Sequence, residues 1–296
     1  MAEKSWLNEF PQMERADLVE IRKALDHDFR QFSREYGETI ESFFDPLLQF
    51  LVWFEALLTH SPWWAVLLSI AFLIMAVSRS WKLCVAVVVV LFTIGYFGMW
   101  EDAMRTLSII TVSTLLSIVI GIPTGIMMAR CDRAQAIITP LLDVMQTLPA
   151  FVYLLPVVML LGIGKIPGII AVVIYAIPPV IRLTNLGIRL VDQEVLEAAT
   201  AFGVNPLQKL FGVQLPLALP NIMAGINQTI MMALAMVVIA SMIGVKGLGQ
   251  PVLKAITNQY FTMGLLNGLA IVALAIIFDR TSQSYAKRIR KQFERH

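Results

Sequence analysis

The sequence has few of the residues that build metal centres, proton relays or disulfide scaffolds. It contains two cysteines, Cys84 and Cys131, which do not form a C-x-x-C pair, and three histidines. His27 and His60 fall outside the predicted spans, and His296 is the last residue. We therefore expect no disulfide framework, no metal site and no cofactor in this chain.

Charged residues are also scarce. They make up 15% of the chain, against 57% apolar residues, and the mean hydropathy is +0.73. Soluble domains have about 25% charged and about 45–50% apolar residues, so this composition predicts a membrane protein. The net charge of +2 argues against a nucleic-acid partner.

Signals for nucleotide binding and for secretion are missing too. The segment 162–166, Gly-Ile-Gly-Lys-Ile, lacks the glycine spacing of a phosphate loop and the Ser or Thr after its lysine. The first residues, Met-Ala-Glu-Lys-Ser, are not followed by an apolar core. We expect that the chain does not bind ATP itself and carries no cleavable signal peptide.

The first 61 residues are predicted to form a tail with an amphipathic helix. Apolar side chains recur there every three or four residues, at Leu18, Ile21, Leu25, Phe29, Phe32, Tyr36, Ile40 and Phe43. Such a helix lies on the membrane surface or packs on a partner; a solvated helix docked on its own loops is the alternative. We expect a break at Asp45-Pro46, followed by an interfacial segment, 47–58, that is too short to span.

Seven later stretches are apolar and long enough, or nearly so, to cross a bilayer, which takes about 20 residues. They are 62–78, 83–99, 104–128, 134–161, 168–188, 217–243 and 263–279. The sequence thus predicts an all-α polytopic membrane protein with about seven transmembrane helices, preceded by the amphipathic outside helix.

Basic residues predict the orientation, because Lys and Arg accumulate in cytoplasmic loops. Six of the 23 basic residues lie in the first 45 residues. Of the others, thirteen fall on the side of the predicted membrane that holds the C-terminus, and four fall on the opposite side. The larger group includes Arg182 and Arg189, and the smaller one includes Arg105 and Lys165. We expect a cytoplasmic C-terminus and an outside N-terminus.

Tryptophans Trp63, Trp64, Trp81 and Trp100 fall at predicted span ends. This placement favours an aromatic belt at the bilayer interface over an aromatic cage for a cationic ligand.

The predicted spans hold many prolines but almost no ionisable groups. Asp143, the one carboxylate well inside a span, either lines a pathway or makes a packing hydrogen bond. The prolines indicate kinked helices around a cavity, with ordinary packing kinks as the alternative. They are Pro123, Pro140, Pro149, Pro156, Pro178, Pro179, Pro216 and Pro220.

The longest predicted inside loop, 189–214, reads as two short helices suited to docking. Gly203 ends the first helix, about 193–202, and Asn205 caps the second, with Pro206 as its first residue. Glu197-Ala198-Ala199 offers a small-residue surface with one carboxylate.

Glu197-Ala198-Ala199, Gly203 and Leu215-Pro216 resemble the EAA loop of permease subunits of binding-protein-dependent ABC importers. Segments 143–153, 178–184, 221–228 and 240–244 are similar to glycine betaine/proline permeases within that superfamily. The resemblance covers roughly 103–283 and implies a type I ABC importer permease core there. Two accessory helices, 62–102, precede this core, and a basic cytoplasmic tail, 284–296, follows it.

The resemblance implies an ATP-driven importer of glycine betaine, proline betaine, choline, carnitine or trimethylamine N-oxide in a bacterial inner membrane. The implied partners are a second permease copy, two ATP-binding subunits and an extracytoplasmic solute-binding protein. Implied ATPase-coupling residues are Glu197, Ala198, Ala199, Phe202, Gly203, Asn205, Leu207 and Pro216. Expected pathway residues are Asp143, Gln146, Tyr153, Asn227 and Gln228.

Two other functions fit the residues less well. A gradient-driven secondary carrier of small amines usually needs several coupling groups, which are missing. A membrane scaffold without transport does not explain the many prolines.

Overall fold

The computed structural model describes the backbone of residues 12–293 and the side chains of residues 12–288. The first eleven residues of the predicted tail and the last three of the predicted basic tail lie outside this range. Within it every regular element is a helix. The helices are α1 Arg15–His60, α2 Trp63–Ser78, α3 Trp81–Tyr96, α4 Trp100–Arg130, α5 Asp132–Thr147, α6 Leu154–Leu161, α7 Lys165–Ala176, α8 Pro178–Arg189, α9 Gln193–Ala201, α10 Pro206–Lys209, α11 Leu215–Ala240, α12 Gly249–Asn258 and α13 Phe261–Phe293.

The centre of the bundle is formed by α4, α7, α8 and α11, which pack on one another, while α13 covers α11 and contacts α2 and α3. Their buried faces are mostly apolar, and Ile110, Val172, Met236 and Leu274 are almost completely enclosed. The spans are thus held together by close side-chain packing, the main contribution available to helices surrounded by lipid.

Length and composition allow five helices of the described chain to cross a membrane, or six if one bent pair is a single span. Four of the predicted stretches, 104–128, 168–188, 217–243 and 263–279, coincide with such helices. The fifth is α1, so the expectation of a separate interfacial segment 47–58 that is too short to span is wrong. Stretches 62–78 and 83–99 form α2 and α3, apolar helices of 16 residues each. The remaining stretch, 134–161, is not a straight span: Asp132–Thr147 and Ala150–Leu161 meet at 112°.

The predicted break at Asp45-Pro46 is wrong, because α1 continues through Pro46 as one 46-residue helix. Its hydrogen bonds place it across one end of the bundle. Ser33 Oγ donates to the Met159 carbonyl at the end of α6, and Lys165, the first residue of α7, donates to Glu55. We call this end, where α4 and α7 begin, the α1 end, and the opposite end, which carries α9 and α10, the loop end.

Most of the predicted apolar stripe of α1 is exposed, although Leu18, Phe29 and Ile40 are half-buried. Leu25 is 65% exposed and Phe43 is 76% exposed. A different face, with Gly37, Leu51, Glu55 and Leu58, is buried against the bundle. α1 therefore packs on its own chain through that face, and what covers the exposed part of the stripe stays a prediction.

Candidate functional site: an exposed helical loop and a polar face in the bundle

The predicted inside loop, 189–214, lies at the loop end and contains two short helices, α9 and α10, whose ends are capped. Asp192 caps α9 by accepting a hydrogen bond from the Glu194 N–H at 2.9 Å. Gly203 follows the helix with φ +77°, and its N–H donates to the Thr200 carbonyl at 3.0 Å. The left-handed conformation at this position is what a terminal glycine accommodates, so the predicted helix stop is confirmed.

The second helix, α10, begins with reciprocal hydrogen bonds between Asn205 and Gln208. The Gln208 N–H donates to Asn205 Oδ1 at 2.8 Å, and the Asn205 N–H donates to Gln208 Oε1 at 3.1 Å. Pro206 is the first helical residue, as predicted. A π-helical turn, Leu210–Gln214, then leads into α11, whose first turn contains Pro216.

The loop presents its side chains to the outside. No residue of α9 is buried, and Phe202 and Leu207 are 88% and 59% exposed. Glu197 is exposed beside a shallow depression that Leu196, Thr200 and Lys209 also line. Exposed aromatic and aliphatic side chains on a rigid, capped loop are typical of a protein-docking surface.

The predicted pathway residues of α5 share one face. Asp143 is paired with Arg182 of α8, and Gln146, one turn later, is exposed. Tyr153 lies at the bend instead: it is buried, its hydroxyl donates to the Met145 carbonyl, and its ring packs edge-on against Tyr175. The structure thus separates Tyr153 from the exposed polar face.

The predicted pathway residues of α11 point in different directions. Asn227 Nδ2 donates to Asp279 Oδ1 of α13 at 3.0 Å, and Gln283 also donates to Asp279. Gln228, the next residue, is exposed. Asp279, the last residue of the predicted span 263–279, therefore bonds between helices as Asp143 does.

Arg182 belongs to this polar face, although the sequence places it among the basic residues of the cytoplasmic side. It lies within α8, seven residues before the end of that helix at Arg189. Its partner Asp143 is 39 residues away in the sequence, so only the packing of α5 on α8 reveals the pair.

Four glycines, not recognised in the sequence, allow α4, α8 and α11 to approach closely. A Cβ on Gly125 would lie 2.7 Å from the Ile181 carbonyl oxygen, and one on Gly121 would clash with Val180 Cγ1. A Cβ on Gly187 or on Gly225 would likewise lie too close to atoms of the facing helix. The Gly121-x-x-x-Gly125 spacing is a signal that could have predicted this contact.

A helical apolar bundle with a bent helix pair, as the described residues form it, defines a polytopic membrane protein. The family model described as "Binding-protein-dependent transport system inner membrane component" matches residues 121–291. The chain belongs to this family, and its fold is that of a type I ABC importer permease.

Curated relatives agree with this assignment. The glycine betaine/proline betaine transport system permease protein ProW of Escherichia coli is 54% identical over 71% of this chain. The match spans 60% of that relative's length. The glycine betaine/carnitine transport permease protein GbuB of Listeria monocytogenes is 47% identical over 78% of this chain and 83% of its own length.

A solved structure shows the same fold in a more distant protein. A chain of the inward-facing MetNI methionine ABC transporter aligns with a TM-score of 0.59 at 20% identity. The alignment covers 64% of this chain and 94% of that chain.

Proposed function

We propose that this chain is the transmembrane permease subunit of an ATP-driven importer of quaternary or methylated amines. The observation that carries the proposal is similarity over most of the chain to permeases whose names specify glycine betaine, proline betaine and carnitine. More distant relatives are named for trimethylamine N-oxide and choline. The solute would belong to the class that contains glycine betaine, proline betaine, choline, carnitine and trimethylamine N-oxide.

The complex would contain a second permease copy, two ATP-binding subunits and an extracytoplasmic solute-binding protein. The loop end would face the cytoplasm with the C-terminus, and the α1 end would face outside with the N-terminal tail. In this arrangement Lys165 and Arg105 lie outside, and Arg189 and Lys209 lie inside. The larger number of basic residues at the loop end supports this orientation.

Coupling to the ATP-binding subunit would occur through the exposed loop. Glu197, Ala198 and Ala199 form the docking surface, with Phe202 and Leu207 as apolar contacts. Gly203, Asn205 and Pro216 fix the shape of the loop, which their backbone conformations and capping hydrogen bonds support. The chain would need no cofactor and no ATP site of its own.

The exposed polar face of α5 supports a pathway shared with the second permease copy. Ionised side chains that face hydrocarbon are costly, so Asp143 and Arg182 need cover from protein or water. A second copy packed over the exposed side of α5 would provide that cover.

The test is uptake of radiolabelled glycine betaine into vesicles that contain the assembled complex and its solute-binding protein. The proposal expects uptake that requires internal ATP and persists when an uncoupler removes the proton gradient. Uptake that survives ATP depletion but not the uncoupler would instead identify a gradient-driven carrier. Absence of flux in a complete, folded complex would contradict both readings.

A further inference from the structure

Two ion pairs join α5 to α8 at different depths. The pair at the loop end joins Arg189 and Asp132, with Nη2 of the arginine 2.6 Å from Oδ1 of the aspartate. Asp143 is eleven residues further along α5, and Arg182 is seven residues back along α8. At about 1.5 Å rise per residue, the second pair lies roughly 10–16 Å deeper in the bundle.

The two arginines differ in how many of their donors are used. Arg189 donates to Asn185 Oδ1, to the Met128 carbonyl and to Asp132, so its guanidinium is bound on several sides. Arg182 makes one side-chain hydrogen bond, from Nη2 to one oxygen of Asp143, and its Nε is buried without a partner. A guanidinium has five N–H donors, so Arg182 retains unused hydrogen-bonding capacity.

The deeper pair is also open on one side. The side chain of Asp143 is 56% exposed and that of Arg182 is 35% exposed. Gln146, three residues after Asp143, extends the same face with a further polar group. A pair that only tied two helices together would be expected to turn inward, as far as packing allows, because exposed charge at this depth is costly.

The chemistry of a zwitterionic solute matches this arrangement. Glycine betaine has a carboxylate, which a guanidinium binds strongly, and a quaternary ammonium, which has no N–H and is attracted to negative charge. We propose that Arg182 and Asp143 form a contact site for the solute in the translocation pathway. Arg182 binds the solute's carboxylate, and Asp143 faces its ammonium group. This inference rests on the proposed function.

The first test restores a positive charge chemically at position 182. Arg182→Cys is made in a background in which Cys84→Ser and Cys131→Ser remove the native thiols. The assembled complex is treated with a cationic aminoethyl or a neutral hydroxyethyl methanethiosulfonate reagent, and glycine betaine uptake is measured. We expect uptake to fall at least tenfold and then to recover severalfold with the cationic reagent only.

Equal recovery with both reagents, or recovery with neither, would overturn the assignment of Arg182. The cysteine-free background is measured first. If that background is folded and assembled but takes up no glycine betaine, the proposed function itself fails. If it transports normally and only the rescue fails, the inference fails alone.

A second variant decides the question even if Arg182→Cys does not assemble. Asp143→Asn combined with Arg182→Gln replaces the ion pair by neutral side chains that can still hydrogen-bond between α5 and α8. We expect a normal yield of folded complex, with glycine betaine uptake reduced more than tenfold. A smaller reduction in uptake would show that the pair only ties the helices together.

Discussion

Lys165 Nζ lies 2.7 Å from Glu55 Oε2, so the first residue of α7 is bonded to the tail helix α1. Arg105 of α4 approaches the other Glu55 oxygen, with its Nε 3.6 Å from Oε1. The Glu55 side chain is only 12% exposed. One nearly buried carboxylate therefore joins α1 to the starts of two central helices.

Replacing Glu55 by Gln should destabilise the α1 end, because Lys165 and Arg105 would lose their common counter-ion. Removing one partner of a buried pair costs about 3–5 kcal/mol, and the partial exposure of both cations lowers our expectation to roughly 2 kcal/mol. Thermal unfolding of the purified protein measures the change. Glu101→Gln is the control: Glu101 also pairs with Arg105 but is 64% exposed, so it should cost at most about 1 kcal/mol.

Glu197→Lys should leave the protein folded and inserted but abolish transport. The substitution reverses the charge of the docking surface, where an unfavourable charge contact costs several kcal/mol. Glycine betaine uptake, ATP hydrolysis and co-purification of the ATP-binding subunit are measured together. Glu194→Lys reverses a charge on the same helix, one turn earlier, and should transport far better; equal uptake by the two variants would remove Glu197 from the coupling site.

Gly203→Val should distort the loop through the backbone alone. A Cβ at this position meets no atom within 4 Å, but the φ of +77° disfavours a β-branched residue. The strain should be about 1–2 kcal/mol and should appear as weaker binding of the ATP-binding subunit. Gly203→Asn, which tolerates this conformation better, should be milder. If Val and Asn behave alike, the positive φ does not matter for docking.

Gly125→Val should prevent the close approach of α4 and α8. The new side chain would meet the Ile181 carbonyl oxygen and Thr184, and a backbone atom cannot move aside as a flexible side chain can. Overpacking of this kind typically costs about 1–3 kcal/mol. The measurement is the yield and melting temperature of the purified protein. Gly268→Ala, where a Cβ meets nothing within 4 Å, should leave both unchanged.

Leu51→Asp should destabilise the protein far more than Leu25→Asp, although both residues lie on α1. Leu51 is fully buried, whereas Leu25 is 65% exposed. Burying a Leu side chain contributes about 1.5–3 kcal/mol, and the added charge would be buried at position 51 only. Melting temperatures of the two variants in the same detergent provide the comparison. Similar losses would mean that the exposed stripe of α1 is covered in the assembled protein.

The sequence determined the features that depend on neighbouring residues. The length and apolarity of the segments predicted a helical membrane protein, because a bilayer requires long runs of apolar residues with internally satisfied backbones. The ends of α9 and α10 were also predictable, since Asn205, Pro206 and Gly203 act within one turn of their own position.

Which distant residues meet depends on the packing of the helices. Pro46 and Pro149 are both prolines in apolar surroundings, yet α1 continues through Pro46 while the span around Pro149 bends by 112°. The partners of Asp143 and Glu55 lie 39 and 110 residues away. Such contacts depend on how whole helices pack against one another. A local sequence pattern therefore shows which residues are charged but does not show which of them form ion pairs.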